Sequence, residues 1–349
     1  MICDCQRRGR LRPSSFERLE SSIPNCSCQK EELMTGVAER STEVIPLTIA
    51  IPAYNRRSSV QILLKSICDQ ARSEDEVIVS DDGSTDGTSE QSSMMPGVRV
   101  IRHDTNQGMV ANWNACLRAA TRDWICVVHD DDRLEFGALA ALRCACALAK
   151  GPALIVHQYA GNQFDDVFRC HYSTPSSWTV LNCPTIPSGA VVHRTIIDTL
   201  GLFDARFKYS SDLEYFARIA SRFPLIVIES PRIVEYRLHG ANYQLQTWRQ
   251  TDFYDQFEEV QRSIISHAGI QDETLKRDIL DKRMVSNLLY MLNLADRLGD
   301  RGLVRRVGKY CQRLRRRLSV RQTVTTYIAA ITGWCPRLHR VKRLRSTST

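Results

Sequence analysis

The chain has 349 residues, enough for one large domain or one domain with appendages, and its 43% hydrophobic content suits a soluble protein with a sizeable core. Its net charge of +8 hides an asymmetry: from Arg297 to Thr349 there are fifteen Lys or Arg and one acid, Asp300, while the remainder carries 32 bases against 38 acids. No run approaches the ~20 apolar residues of a membrane span, and the N-terminus is charged without an apolar core, so neither a spanning helix nor a secretory signal is expected.

Thirteen cysteines are scattered over the whole length. Cys68, Cys116, Cys126 and Cys146 fall at apolar positions of periodic segments, where Cys serves as a small hydrophobe. Free thiols in a reducing compartment are the expectation, not a disulfide framework. The pairs Cys3/Cys5 and Cys26/Cys28 lack the spacing of common zinc fingers.

In chain order, residues 1–44 lack periodicity and are expected to be a disordered extension. Leu47 to Ile51 reads as a strand between Pro46 and Pro52. Val60, Leu63, Leu64, Ile67 and Cys68 follow at helical spacing, with a start near Ser58 or Ser59. Strands are expected at Glu76–Ser80, Val98–Ile101, Trp124–Val128 and Ala153–His157. Between them come a helix marked by Val110, Trp113, Leu117 and Ala120, and an Ala- and Leu-rich helix over Glu135–Ala149. This alternation argues for a largely parallel sheet covered on both faces. A further helix is expected over Ser211–Ser221, and past Asp252 the pattern is purely helical, turning basic from Arg301.

The residues that can carry chemistry sit where strands end. Ile51-Pro52-Ala53-Tyr54-Asn55 places an aromatic at a strand exit, where it can stack on a nucleobase or simply pack a turn. Ser80-Asp81-Asp82-Gly83-Ser84-Thr85-Asp86-Gly87-Thr88 allows close backbone approach and supplies an acceptor for a base N–H or ribose hydroxyl; an ordinary Asp/Gly turn explains it equally well. Asn106-Gln107-Gly108 opens the helix that holds Asn112, Trp113 and Asn114. His129-Asp130-Asp131-Asp132 follows an apolar strand directly. Adjacent carboxylates repel and resist removal from water, so a divalent cation bound by oxygen ligands, Mg²⁺ or Mn²⁺, is the economical explanation. An acidic turn or a helix cap is the plainer one. Gly201-Leu202-Phe203-Asp204, then Ser211-Asp212, put an Asp at a helix start, as an N-cap or as a general base. Tyr236-Arg237-Leu238-His239-Gly240 adds a histidine able to reach a metal or a phosphate.

The ordered series IPAYN, SDDGSTDGT, NQGMVANWN, HDDD, GLFD, SD and YRLHG resembles family-2 glycosyltransferases of the GT-A fold over about Pro46 to Asn242. The resemblance implies an α/β, Rossmann-like, mostly parallel sheet flanked by helices, and inverting transfer of a sugar from a nucleoside-diphosphate donor to an acceptor hydroxyl. It places Pro52, Ala53, Tyr54, Asn55, Asp82, Gly83, Asn106, Gly108 and Asp130 around the nucleotide sugar, Asp131, Asp132 and His239 at the metal, and Asp212 as catalytic base. The family's metal motif is usually D-x-D. Here one register puts His129 first and Asp131 last, favoured by Leu134, and the other uses Asp130 to Asp132. A non-catalytic sugar-nucleotide-binding scaffold on the same fold is the alternative. Domain limits are expected at 1–44, 45–250 and 251–349. The basic end suits an anionic membrane surface, a solvated helix face or a polyanion; a glycan or lipid-linked acceptor, with no nucleic acid partner, is the expectation. That combination implies a cytoplasmic protein, peripheral on the inner face of the cell membrane.

Overall fold

The computed structural model describes residues 32–36, 45–158, 167–184, 186–236 and 246–314. Its organising element is a nine-stranded sheet in the order β1-β8-β10-β7-β9-β5-β2-β3-β4. The strands are β1 (Glu32–Gly36), β2 (Leu47–Ala53), β3 (Glu76–Asp81), β4 (Val98–Arg102), β5 (Trp124–Val127), β7 (Leu154–His157), β8 (Phe168–Ser173), β9 (Ala190–His193) and β10 (Leu225–Ser230). β2, β3, β4 and β5 pair in parallel, and β7 pairs in parallel with β10. β9 and β8 run against their neighbours. A two-stranded ribbon joins β6 (Arg133–Leu134) to β11 (Val234–Glu235).

Among the described residues, seven helices accompany the sheet: α1 (Arg57–Cys68), α2 (Thr88–Ser93), α3 (Met109–Ala119), α4 (Ala138–Leu148), α5 (Ser177–Asn182), α6 (Arg194–Leu200) and α7 (Ser211–Ala220). Every residue of β2 is buried, as a central parallel strand covered on both faces requires. Alternate strand residues go to opposite faces. Ile49, Ile51, Val77, Val79 and Cys126 join Leu63, Leu64, Leu139 and Leu142 in one core. Ile125, Val127, Leu154 and Val156 join Trp113, Leu117, Tyr215 and Phe216 in the other. Burial pushes the thiols of Cys116 and Cys126 up to about 12, consistent with unreactive apolar packing.

Two expectations are corrected. Residues 32–36 form a strand, antiparallel to β8, inside the segment read as a disordered extension. The helix expected from Glu135 begins at Ala138, because a left-handed Gly137 (φ +80°) stands at its N-cap. The chain divides into two compact units, Met1–Arg237 and Leu238–Thr349.

The entry to β2 is fixed by one buried carboxylate. Asp75 Oδ1 accepts from the Leu47 amide at 2.9 Å, Oδ2 accepts from the Arg72 amide at 2.7 Å, and the Arg143 guanidinium of α4 pairs with Oδ2. Both side chains are almost wholly buried. Asp75→Ala should therefore destabilise the fold by about 3–5 kcal/mol, since it leaves a buried guanidinium unpaired. Chemical denaturation of both proteins measures this.

The second unit is helical: α8 (Phe253–His267), α9 (Glu273–Leu298) and α10 (Arg301–Leu314). Tyr254 and Tyr310 stack at 4.3 Å between ring centroids, and Arg249 pairs with Asp300 at 2.7 Å. No helix among the described residues is long and apolar enough to cross a membrane.

Candidate functional site

Sheet order explains why motifs far apart in sequence meet. β5, β2, β3 and β4 are consecutive neighbours running the same way, so their C-terminal ends share one edge. Tyr54, Asp82, Asn106 and Asp130 all leave the sheet there, where open α/β folds bind ligands.

Hydrogen bonds tie the exits together. Asn55 adopts a left-handed φ of +53°, which Asn tolerates; its amide donates to Ser84 Oγ at 2.8 Å, and its Oδ1 accepts from Thr85 N at 2.9 Å. Asp82 is 2% exposed, and its two oxygens accept from the amides of Gln107 (2.8 Å) and Gly108 (2.9 Å). Asp82 thus clamps the loop that opens α3, and a ribose or base contact would have to share those oxygens. Gly83 has φ +72°, and a Cβ there would stand 2.8 Å from the backbone carbon of Thr105. Gly83→Ala should accordingly cost about 1–3 kcal/mol and weaken donor binding, readable by thermal melting and donor titration. Tyr54 is 43% exposed, with its ring available to a ligand, whereas Pro52 and Ala53 are buried in β2. Asn106 is exposed.

The members of the aspartate run keep different company. Asp130 turns toward the β2 exit, where Oδ2 accepts from the Tyr54 amide at 3.2 Å and Oδ1 lies 3.6 Å from Arg56 Nε. Burial and the adjacent Asp131 push its pKa up to about 7, against the pull of Arg56 and the Tyr54 amide and with a smaller push from Asp132. Asp131 and Asp132, with His129, offer three ligand atoms within 4.8 Å of one another. His129 Nε2 is buried without a hydrogen-bond partner among the described residues. An orphaned imidazole nitrogen beside two carboxylates fits a divalent cation and matches the register that begins at His129. His239 lies outside the described residues.

The imidazole is held from two sides. Its ring stacks on Trp113 at 5.3 Å, and its backbone amide donates to Ser188 Oγ at 3.1 Å. Ser188 is anchored in turn by buried His157, whose Nε2 donates to the Ser188 carbonyl at 2.7 Å. Asp212 stands in the first turn of α7. Burial pushes its pKa up, while the Leu213 amide and the charge of His129 pull it down. Asn114 connects the two halves: its Nδ2 donates to the Phe203 carbonyl at 2.9 Å and its Oδ1 accepts from the Phe203 amide at 3.0 Å.

Arg56, Ser188, His157 and the bridging role of Asn114 were not legible beforehand. Arg56 had a weak signal, as a base immediately after IPAYN. Ser188 and His157 had none, since each acts through a contact distant in sequence.

Residues 48–175 match the family Glycosyl transferase family 2. The match takes in a little over a third of the chain. A glycosyltransferase of Haemophilus influenzae is 40% identical over 86 residues, which are 25% of this chain and 29% of that protein. The GalNAc(5)-diNAcBac-PP-undecaprenol beta-1,3-glucosyltransferase of Campylobacter jejuni is 33% identical over 101 residues, 28% of this chain and 33% of that one. The matched part therefore spans about a third of each relative's length. In fold, the chain is similar to S. aureus TarS 1–349 in complex with UDP-GlcNAc, with TM-score 0.59, 14% identity, and coverage of 83% of this chain and 92% of that one. It is also similar to the mannosyltransferase PcManGT of Pyrobaculum calidifontis in complex with GDP-Man and Mn²⁺, with TM-score 0.51, 15% identity, and coverage of 96% and 95%. The mostly parallel sheet flanked by helices is thus the GT-A architecture. The family 2 domain as matched ends at residue 175, so Asp212 lies beyond it.

Proposed function

We propose that this protein transfers a hexosyl group from a nucleoside-diphosphate sugar to an acceptor hydroxyl, with inversion at the anomeric carbon. What supports the reading is Asp130 beside the Tyr54 amide at the β2 exit and the three ligand atoms that His129, Asp131 and Asp132 offer close to it in the chain. In it, Tyr54 stacks on the nucleobase and Asp130 accepts a donor ribose hydroxyl. Asp82 and Asn55 hold the loops that shape this pocket. His129, Asp131 and Asp132 would hold Mg²⁺ or Mn²⁺, which when bound supplies positive charge against the diphosphate. Asp212 takes the proton of the acceptor hydroxyl as that oxygen bonds to the anomeric carbon and the bond to the diphosphate breaks. Attack on the face opposite the leaving group inverts the centre, with separate duties for separate carboxylates as in glycoside cleavage.

The acceptor we favour is a lipid-linked glycan or polysaccharide of the cell envelope, supported by the Campylobacter relative's named undecaprenol-linked acceptor. Cytoplasmic sugar nucleotides would then meet the acceptor at the inner face of the membrane. A panel of UDP, GDP and dTDP sugars, scored by thermal shift with and without Mn²⁺, tests the reading. It predicts stabilisation by one nucleotide class that grows with metal. Equal stabilisation by all, or by none, in either condition would count against it.

A further inference from the structure

Helix α10 sorts its residues by chemistry. Leu303, Val307 and Tyr310 are buried, while Arg301, Arg305, Arg306 and Lys309 are exposed. Arg301, Arg305 and Lys309 recur at intervals of four, so they stand in a file along one side of the helix, about 12 Å from first to last. The helix contains no acid. Like charges at this spacing repel and slightly disfavour the helix, so the arrangement contributes nothing to folding.

The neighbouring helices treat their bases differently. Arg262 is paired with Glu258, Lys276 with Glu273, and Lys282 with Asp278, each within its own helix. Among the described residues, Arg301, Arg305 and Lys309 have no ion pair, and Arg306 donates to the Arg249 carbonyl. A row of bases without ion pairs, on a helix that has no acid of its own, calls for an external anion.

We propose that this face of α10 docks on an anionic lipid surface. A bilayer presents a plane of negative charge that a straight row of bases can meet along its whole length. Each base close to such a surface raises partitioning about fivefold. The apolar side of α10 is already packed within its own unit, so the contact is electrostatic, not insertional, and salt should release it. A single-stranded nucleic acid would want exposed aromatic rings for base stacking, and the only aromatic of α10, Tyr310, is buried. The proposal does not depend on the transfer reaction, because none of the residues assigned to that reaction lies on α10.

The full chain should co-sediment with phosphatidylcholine vesicles that contain phosphatidylglycerol, at low salt, and not with phosphatidylcholine alone. Arg301→Gln, Arg305→Gln and Lys309→Gln together should weaken the anionic partitioning about a hundredfold. Arg305→Gln alone should weaken it about fivefold, with circular dichroism and nucleotide thermal shifts unchanged in both. Absence of vesicle binding by the native chain, equal binding by the triple variant, or tight binding to an oligonucleotide without vesicle binding would each overturn the proposal.

Discussion

Asp212→Asn should lower turnover by about 10²–10⁴-fold, the range by which a positioned acid or base accelerates proton transfer, while donor affinity stays within a factor of a few. The amide has the shape of the carboxylate and can still occupy the first turn of α7, but it cannot take a proton. Donor binding should survive because Tyr54, Asp82 and Asp130 lie at the β2, β3 and β5 exits and not on α7. The substitution also has a signed effect on stability. The folded-state pKa of Asp212 is raised by burial, so the stability linked to its protonation is present at acid pH and lost as pH rises through the raised value. At neutral pH the ionised group is therefore a liability to the fold, and the Asn variant should melt no lower than the native protein. Transfer assays, donor titration and melting curves at acid and neutral pH separate these statements. Unchanged turnover removes Asp212 from the catalytic role.

Asp131→Asn should remove most of the metal-dependent stabilisation. Outer partners of metal ligands typically cost 10–100-fold in affinity when lost, and a direct carboxylate ligand should cost more, so Mn²⁺ binding should fall by over about 100-fold. The fold should tolerate the change, because Asp131 is half-buried and Asn is isosteric. The measurement is a Mn²⁺ titration by calorimetry in the presence of UDP or GDP. Asp130→Asn provides the contrast. Asp130 turns toward Tyr54 and Arg56, so its loss should weaken nucleotide binding while leaving metal binding alone closer to native. If the two variants proved indistinguishable, the division within the aspartate run would be wrong.

Much of this site could be read from the chain because parallel strands announce themselves twice. Leu47–Ile51, Glu76–Ser80 and Trp124–Val128 are apolar runs with polar residues directly behind them, which gives both the element and the end that carries chemistry. The strand order then brings Tyr54, Asp82 and Asp130 together without further instruction. The half that follows was less legible. β9 and β8 run against the general direction, and β8, with sequence FRCHYS, is half-polar. The strand at Glu32–Gly36 gains its place by pairing with β8, a partner more than 130 residues away, which no local pattern encodes. For the same reason His129 was ambiguous in sequence. Its orphaned nitrogen, its stack on Trp113 and its neighbours Asp131 and Asp132 are facts of packing.

The pairing of Asn114 with Phe203 bears on how such proteins can be recombined. A single side chain satisfies both the amide and the carbonyl of Phe203, much as a strand partner would, and so fixes the loop that leads to Asp212 at the start of α7. Asn114 lies inside the segment shared with family 2 relatives, and Phe203 lies outside it. A chimera that grafts a foreign acceptor half after residue 175 would therefore inherit one half of this clasp and import the other. Exchanges that carry Asn and its receiving loop as a matched set should yield working hybrids, and those that separate them should bind donor without transferring it.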